Sequence, residues 1–109
     1  MSAAPNARAL LDSLVSEKDF QQHIIDTARL CGWDCYHTHD SRRSEPGFPD
    51  LVLAHPRLGL IMPELKTERG RVSAAQQHWL DLLRHLGIDA PVWRPRDLPL
   101  IEKRLQGTS

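Results

Sequence analysis

Residues 47–70, GFPDLVLAHPRLGLIMPELKTERG, constrain the fold more than any other stretch of the chain. Two apolar runs, Asp50 to Ala54 and Leu58 to Lys66, flank HPRLG, which has the length and composition of a hairpin loop. Paired antiparallel across it, Ala54 faces Leu60, Val52 faces Met62 and Asp50 faces Glu64, all in one register. Side chains alternate between the two faces of a strand, so Lys66 falls on the side of Glu64. Two carboxylates and an ammonium therefore meet at one end of the hairpin. Such charges have no place in strands meant only for a core, and neither does Pro63, which has no N–H to give to a ladder. Pro63 is expected at a sheet edge or in a bulge, a feature favoured beside functional sites.

Directly opposed residues of an antiparallel pair hold their Cβ atoms ~5 Å apart, close enough for two bare carboxylates to destabilise the sheet. A divalent cation engaged by Asp50 and Glu64 removes that penalty. Carboxylate oxygens suit Mg²⁺ or Mn²⁺, hard ions that keep several waters and take phosphate oxygens as further ligands. Lys66 could then hold or deprotonate an attacking water and offset charge on a phosphate. The same residues have a plainer reading, with Asp50 as a turn residue after Pro49 and with Glu64 and Lys66 as exposed strand-end charges. The ordered run favours the first reading. Gly-x-Pro-Asp, an apolar strand, a turn, a second apolar strand ending in Glu-x-Lys and a capped helix follow one another without interruption.

The flanking segments supply the rest of a domain. Ser16 can cap a helix with Asp19 three residues on, and Phe20, Ile24, Ile25, Ala28 and Cys31 recur at helical spacing before Gly32 ends it. Trp33 to Thr38 reads as a strand, and residues 39–49, with two prolines and a glycine, as a polar loop. After a charged turn over Thr67 to Val72, Ser73 caps a second helix with Gln76 at the capping-box position. Ala75, Trp79, Leu82, Leu83 and Leu86 are its expected apolar stripe. Ile88 to Trp93 makes a last strand and Asp97 to Leu105 a closing helix. The expected architecture is α/β, a small mixed sheet flanked by helices in the order α-β-β-β-α-β-α. Residues 1–15 form an arm, and residues 16–109 a single domain.

A chain of 109 residues has room for one modest core. No window approaches the ~18 consecutive apolar residues of a membrane span, and the N-terminus lacks the layout of a secretory signal. Cytoplasm is the expected compartment. Net charge is zero, so bulk electrostatics announce no nucleic-acid partner. Locally, however, residues 42–71 carry six basic side chains against four acidic ones. A metal at Asp50 and Glu64 would tip this side further positive, toward phosphate, although a solvated face explains the charges too. Cys31, Cys35, His37 and His39 invite a zinc reading, but their spacing fits no standard zinc pattern, and buried thiols with surface histidines account for them better. His78 and His85, seven apart on one helix, lack carboxylate neighbours and read as surface residues.

The Pro49-Asp50 and Glu64-Leu65-Lys66 pair resembles the signature of the PD-(D/E)XK nucleases, and the surrounding text resembles their VRR-NUC branch, the virus-type replication and repair nucleases. The resemblance runs from Glu17 to Trp93 through Glu17 and Phe20, the run Gly47 to Leu53, Glu64-Leu65-Lys66, Gly70-Arg71-Val72-Ser73, and Gln76 with Trp79. It implies a restriction-endonuclease-like core and metal-dependent hydrolysis of DNA phosphodiesters. By motif position, Asp50, Glu64 and the Leu65 carbonyl would hold Mg²⁺ or Mn²⁺, and Lys66 would be the catalytic lysine. Glu17 would help to position metal or water. Gln76 would line the site, and the same residue suits the cap of its own helix. Arg42, Arg43, Arg69 and Arg71 flank the site in loops where phosphate contact and plain solvation both fit. Stand-alone members of the family act as homodimers on branched DNA such as four-way (Holliday) junctions, in bacterial or phage-infected cells. The same is expected here, with the segment ALLDSLV and the last helix as candidate dimer surfaces. Flap or end cleavage, and a non-catalytic nucleic-acid-binding module of the same fold, are the competing expectations.

Overall fold

The computed structural model describes residues 16–38 and 45–108. The arm expected over residues 1–15, together with His39, Arg42 and Arg43, lies outside the described residues. Helix α1 spans Glu17–Leu30, and Ser16 caps it by accepting from the Asp19 amide (3.3 Å). Glu17 and Asp19 lie in its first turn, where the helix dipole favours acids. The helix stops at Cys31, and Gly32 takes the positive φ of 89° needed to turn the chain into β1, Asp34–His37.

The hairpin forms in the expected register. Strand β2, Leu51–His55, pairs antiparallel with β3, Gly59–Ile61, matching Leu53 with Ile61, Ala54 with Leu60 and His55 with Gly59. The turn is tighter than HPRLG suggested, since its first and last residues are paired. His55 closes it, with Nδ1 accepting from the amides of Arg57 (3.0 Å) and Leu58 (3.1 Å). On its other side β2 pairs antiparallel with β1, Tyr36 opposite Val52.

Pro63 departs from expectation. It is fully buried and lies past the end of β3, outside any strand. The Leu51 amide still donates to its carbonyl (3.4 Å) in the register of the hairpin, with no residue inserted. What Pro63 cannot do is return an N–H to Leu51. The ladder therefore stops at Ile61, and the strand expected from Leu58 to Lys66 divides into β3 and β4, Glu64–Leu65. The amides of Met62, Glu64 and Lys66 point the opposite way, to the carbonyls of Asp89 (2.8 Å), Pro91 (2.9 Å) and Trp93 (3.0 Å). Strand β4 thus runs parallel to β5, Val92–Trp93. The mixed sheet expected from sequence is thus two adjoining sheets, an antiparallel one of three strands and a parallel one of two, meeting at the proline and linked by the parallel bridge of Ile61 with Asp89.

The remaining helices are α2, Ala74–His85, and α3, Leu98–Gln106, the latter entered through a single 3₁₀ turn at Pro95–Asp97. One core joins Phe20, Ile24, Ile25 and Ala28 of α1 to Leu51, Leu53, Ile61 and Leu65 of the sheet and to Ile101 and Leu105 of α3. Trp33 closes it, its indole N–H donating to the Leu105 carbonyl (2.8 Å). A second core on the opposite face packs Leu80 and Leu83 of α2 with Met62 and Ala90, flanked by Val52 and Trp79. The apolar stripe of α2 therefore differs from expectation. Leu80, Leu83 and Trp79 face the sheet, whereas Ala75, Leu82 and Leu86 are exposed. With about 3.6 residues per turn the five expected positions share one arc, and the buried face lies rotated from it toward Leu80, which keeps Trp79 and Leu83 against the sheet and leaves 75, 82 and 86 on the solvent side. Among the described residues, no helix is long and apolar enough to cross a membrane.

Candidate active site

The charged end of the hairpin lies where the ladder fails. Pro49 is buried, and its carbonyl accepts from the Thr38 hydroxyl (3.5 Å), while the Thr38 amide donates to the Asp50 carbonyl (3.1 Å). The Asp50 side chain is thereby aimed across the sheet, where its Oδ2 accepts from the Leu65 amide (2.8 Å). This bond extends the contact of β2 with β4 beyond the gap at Pro63. Because Glu64 and Lys66 give their amides to the β5 side, Leu65 between them turns its own toward Asp50.

Glu64 is 1% exposed. Its Oε2 accepts from the Gln76 amide nitrogen (2.8 Å) and lies 3.8 Å from Lys66 Nζ. Its Oε1 is buried and receives no hydrogen bond from an N–H or hydroxyl donor among the described residues. Burial, the Asp50 charge and a hydrogen bond with the Asp50 carboxyl push Glu64 up to about 9, against the opposing pull of Lys66. Glu17 is raised as well, by partial burial first and then by Asp50, with Lys66 again opposing. Three carboxyl groups and one ammonium thus share one electrostatic neighbourhood, in which Glu64 favours its protonated form in the absence of a cation.

Helix α2 supplies the fourth wall. Ser73 and Gln76 form a reciprocal capping box, Ser73 Oγ accepting from the Gln76 amide (3.1 Å) and Gln76 Oε1 accepting from the Ser73 amide (2.9 Å). The two roles considered for Gln76 are one. Its side-chain oxygen caps the helix while its nitrogen binds Glu64. The loop carrying Pro49 and Asp50 rests directly on this helix turn. Gly47 has φ +86°, and a Cβ there would lie 2.4 Å from the Ala75 carbonyl carbon and 2.6 Å from the Gln76 nitrogen. Phe48 meets Trp79 edge-on, ring centres 5.1 Å apart.

The sequence profile of the VRR-NUC domain matches residues 6–97. The chain belongs to the VRR-NUC family. No curated protein matches it by sequence. Among solved structures, it is similar to a VRR-NUC domain protein with a TM-score of 0.65 at 17% identity, over 84% of this chain and 88% of that one. It is also similar to Hjc of Archaeoglobus fulgidus, a Holliday junction resolvase from an archaeal hyperthermophile, with a TM-score of 0.51 at 22% identity, over 71% of this chain and 67% of that one. The restriction-endonuclease-like fold is shared with both.

In this VRR-NUC domain, Glu17, Asp50, Glu64, Leu65, Lys66 and Gln76 come together from α1, β2, β4 and α2. Arg69 and Arg71 are exposed on the loop that follows Lys66. His78 and His85 are exposed too. Cys31 and Cys35 are free thiols on different elements, a helix cap and a strand, and burial raises the Cys35 thiol. Among the described residues, no three His, Cys, Asp or Glu side chains converge as a metal-sized group. Any ion at the carboxylate pair must therefore draw on backbone or solvent oxygen as well. Sequence reasoning missed Arg94, the residue after β5, which braces the loop of Arg69 through the carbonyls of Thr67 and Gly70.

Proposed function

We propose that this VRR-NUC domain is an Mg²⁺- or Mn²⁺-dependent endodeoxyribonuclease acting on branched DNA such as four-way junctions. The observation that carries the reading is the buried Glu64 carboxyl facing that of half-buried Asp50 beside Lys66. Ionised, an acid at 1% exposure that faces a second carboxylate is costly to hold without a cation. The donor set fits a hard divalent ion, with Asp50, Glu64 and the Leu65 carbonyl as its protein ligands. Such an ion supplies Lewis acidity toward the phosphate and a more acidic attacking water.

The chain's own residues do the rest. Gln76 engages Oε2 of Glu64 and leaves Oε1 available as a ligand atom. Lys66 sits where it can hold the attacking water and balance charge accumulating on the phosphate. Glu17, coupled electrostatically to Asp50 and Lys66, orients that water. Arg69 and Arg71, together with Arg42 and Arg43, contact the DNA backbone, which positions the substrate without reading sequence. The preference for branched DNA rests on the family and on the likeness in fold to a junction resolvase.

The test is cleavage of labelled four-way junction, flap, single-stranded and linear duplex DNA by the wild type and by Lys66→Ala, with Mg²⁺, Mn²⁺ or EDTA. Junction cutting that needs the ion and falls at least ~10²-fold in the variant is expected. Cutting that survives EDTA or the substitution sinks the mechanism. Equal cutting of linear duplex removes only the preference for branches.

A further inference from the structure

The loop that leaves the site after Lys66 is held from beneath by one side chain. Thr67 to Gly70 is a tight turn closed by the Gly70 amide on the Thr67 carbonyl (3.2 Å). Its carbonyls point inward onto Arg94, the residue after β5. Arg94 Nη1 donates to the carbonyls of Thr67 (2.7 Å) and Gly70 (2.7 Å), with that of Glu68 at 3.3 Å. Arg94 is itself anchored, its amide donating to Asp97 Oδ2 (2.9 Å) at the start of the 3₁₀ turn. Next to it the Arg96 amide donates to Glu68 Oε1 (3.1 Å), a second tie between the same two segments.

The location of this clasp gives it a consequence. The loop is short, polar and bounded by a strand end, and without a brace its conformation would be decided by solvent. Arg69 and Arg71 are its exposed side chains, and Gly70 lies against the Lys66 stem, where a Cβ would stand 3.4 Å from Lys66 Cδ. One guanidinium nitrogen, Nη1, meets all three carbonyls in a half-buried setting, which ties the side chain to the loop. Phosphate contacts made by a disordered loop must first offset the entropy of ordering it, whereas a preorganised loop avoids that cost.

We propose that Arg94 is a positioning residue for DNA binding: its clasp on Thr67, Glu68 and Gly70 fixes the loop that presents Arg69 and Arg71 to the phosphate backbone. The inference rests on the phosphate-contacting role proposed above for those two arginines. It is tested with Arg94→Gln, Arg69→Ala/Arg71→Ala and the triple variant, each shown by circular dichroism to be folded. Affinity for a fluorescent four-way junction is measured with Ca²⁺ in place of Mg²⁺, alongside hydrogen exchange of amides 67–72. Arg94→Gln is expected to speed exchange in the loop and to weaken binding about fivefold or more. In the Arg69→Ala/Arg71→Ala background its further effect should be less than about twofold, because residues acting as one unit are not additive.

Equal loss in both backgrounds would mean that Arg94 touches DNA itself, and the inference would fall. It falls alone if the double variant weakens binding and Arg94→Gln does not. If the double variant binds like the wild type, the phosphate role fails first and takes the inference with it. Should Arg94→Gln not fold, Arg94→Lys carries the same cycle, since its ammonium keeps the charge but ends one bond short of the carbonyls.

Discussion

Glu64 must be buried to be positioned and ionised to bind a cation, and these demands oppose each other. Its ordinary value is 4.5 and its folded value about 9, so across that window the folded chain holds a proton that the unfolded chain releases. The contribution of Glu64 to stability in metal-free buffer is therefore greatest at acid pH, declines as pH rises through the window and levels off above it. Urea midpoints between pH 5 and 9 in EDTA should show this fall, and Glu64→Gln, which cannot titrate, should flatten it. A slope that persists in Glu64→Gln would place the titrating group elsewhere. Gln76 offers a sharper test of shared roles. Gln76→Ala keeps the Ser73 Oγ cap but removes the acceptor for the Ser73 amide as well as the donor to Glu64. Gln76→Glu keeps an acceptor for the Ser73 amide but sets a further carboxylate against Glu64. At pH 8 in EDTA, Gln76→Glu should be the less stable of the two, and thermal melts at pH 5 should show the gap closing. An unchanged gap would mean that the capping contact alone matters.

Among the elements, Gly47 joins the loop of Asp50 to the helix of Gln76, and no other residue type fits there. A side chain would need a left-handed backbone, which costs roughly 1–2 kcal/mol, and would strike the backbone of α2. Gly47→Ala should therefore lose at least about 2 kcal/mol in urea denaturation. A loss below ~0.5 kcal/mol would show that the contact with Ala75 and Gln76 is readily relieved. Gly47 could be seen to matter from its place before Pro49-Asp50, but the reason is a contact across 28 residues that no local pattern encodes. The same division holds elsewhere. The cap at Ser16, the hairpin register and the capping box at Ser73 were legible because each depends on neighbours a few residues apart or on strict alternation. The interior place of Pro63 was not, because it depends on β5 taking the amides of Met62, Glu64 and Lys66 on the opposite edge. Arg94 was invisible for the same reason, its partners lying 24 to 27 residues away. In the site, the carboxylate pair and lysine could be read from spacing, and Glu17 and Gln76 only through the family resemblance.

For the molecule as a whole, the proposed substrate sets a requirement that one copy does not meet. Resolving a four-way junction takes two incisions in strands of opposite position, and the described residues bring together one carboxylate pair with one lysine. A single copy cuts once and must rebind to cut again, whereas two copies related by a two-fold axis present two sites matched to the symmetry of the junction. Homodimerisation is accordingly part of the proposed function, and kinetics can test it without knowledge of the dimer surface. On a supercoiled plasmid bearing a cruciform, a dimer releases linear product directly, since the second cut follows before dissociation. Mixing wild type with excess Lys66→Ala should trap the wild type in dimers with one competent site and convert the product to nicked circles. Dilution through the dimer's dissociation range should do the same to the wild type alone. If linear product forms at an unchanged ratio to nicked circle in both experiments, the two cuts are independent events of a monomer. Light scattering at the same concentrations would then report a single chain.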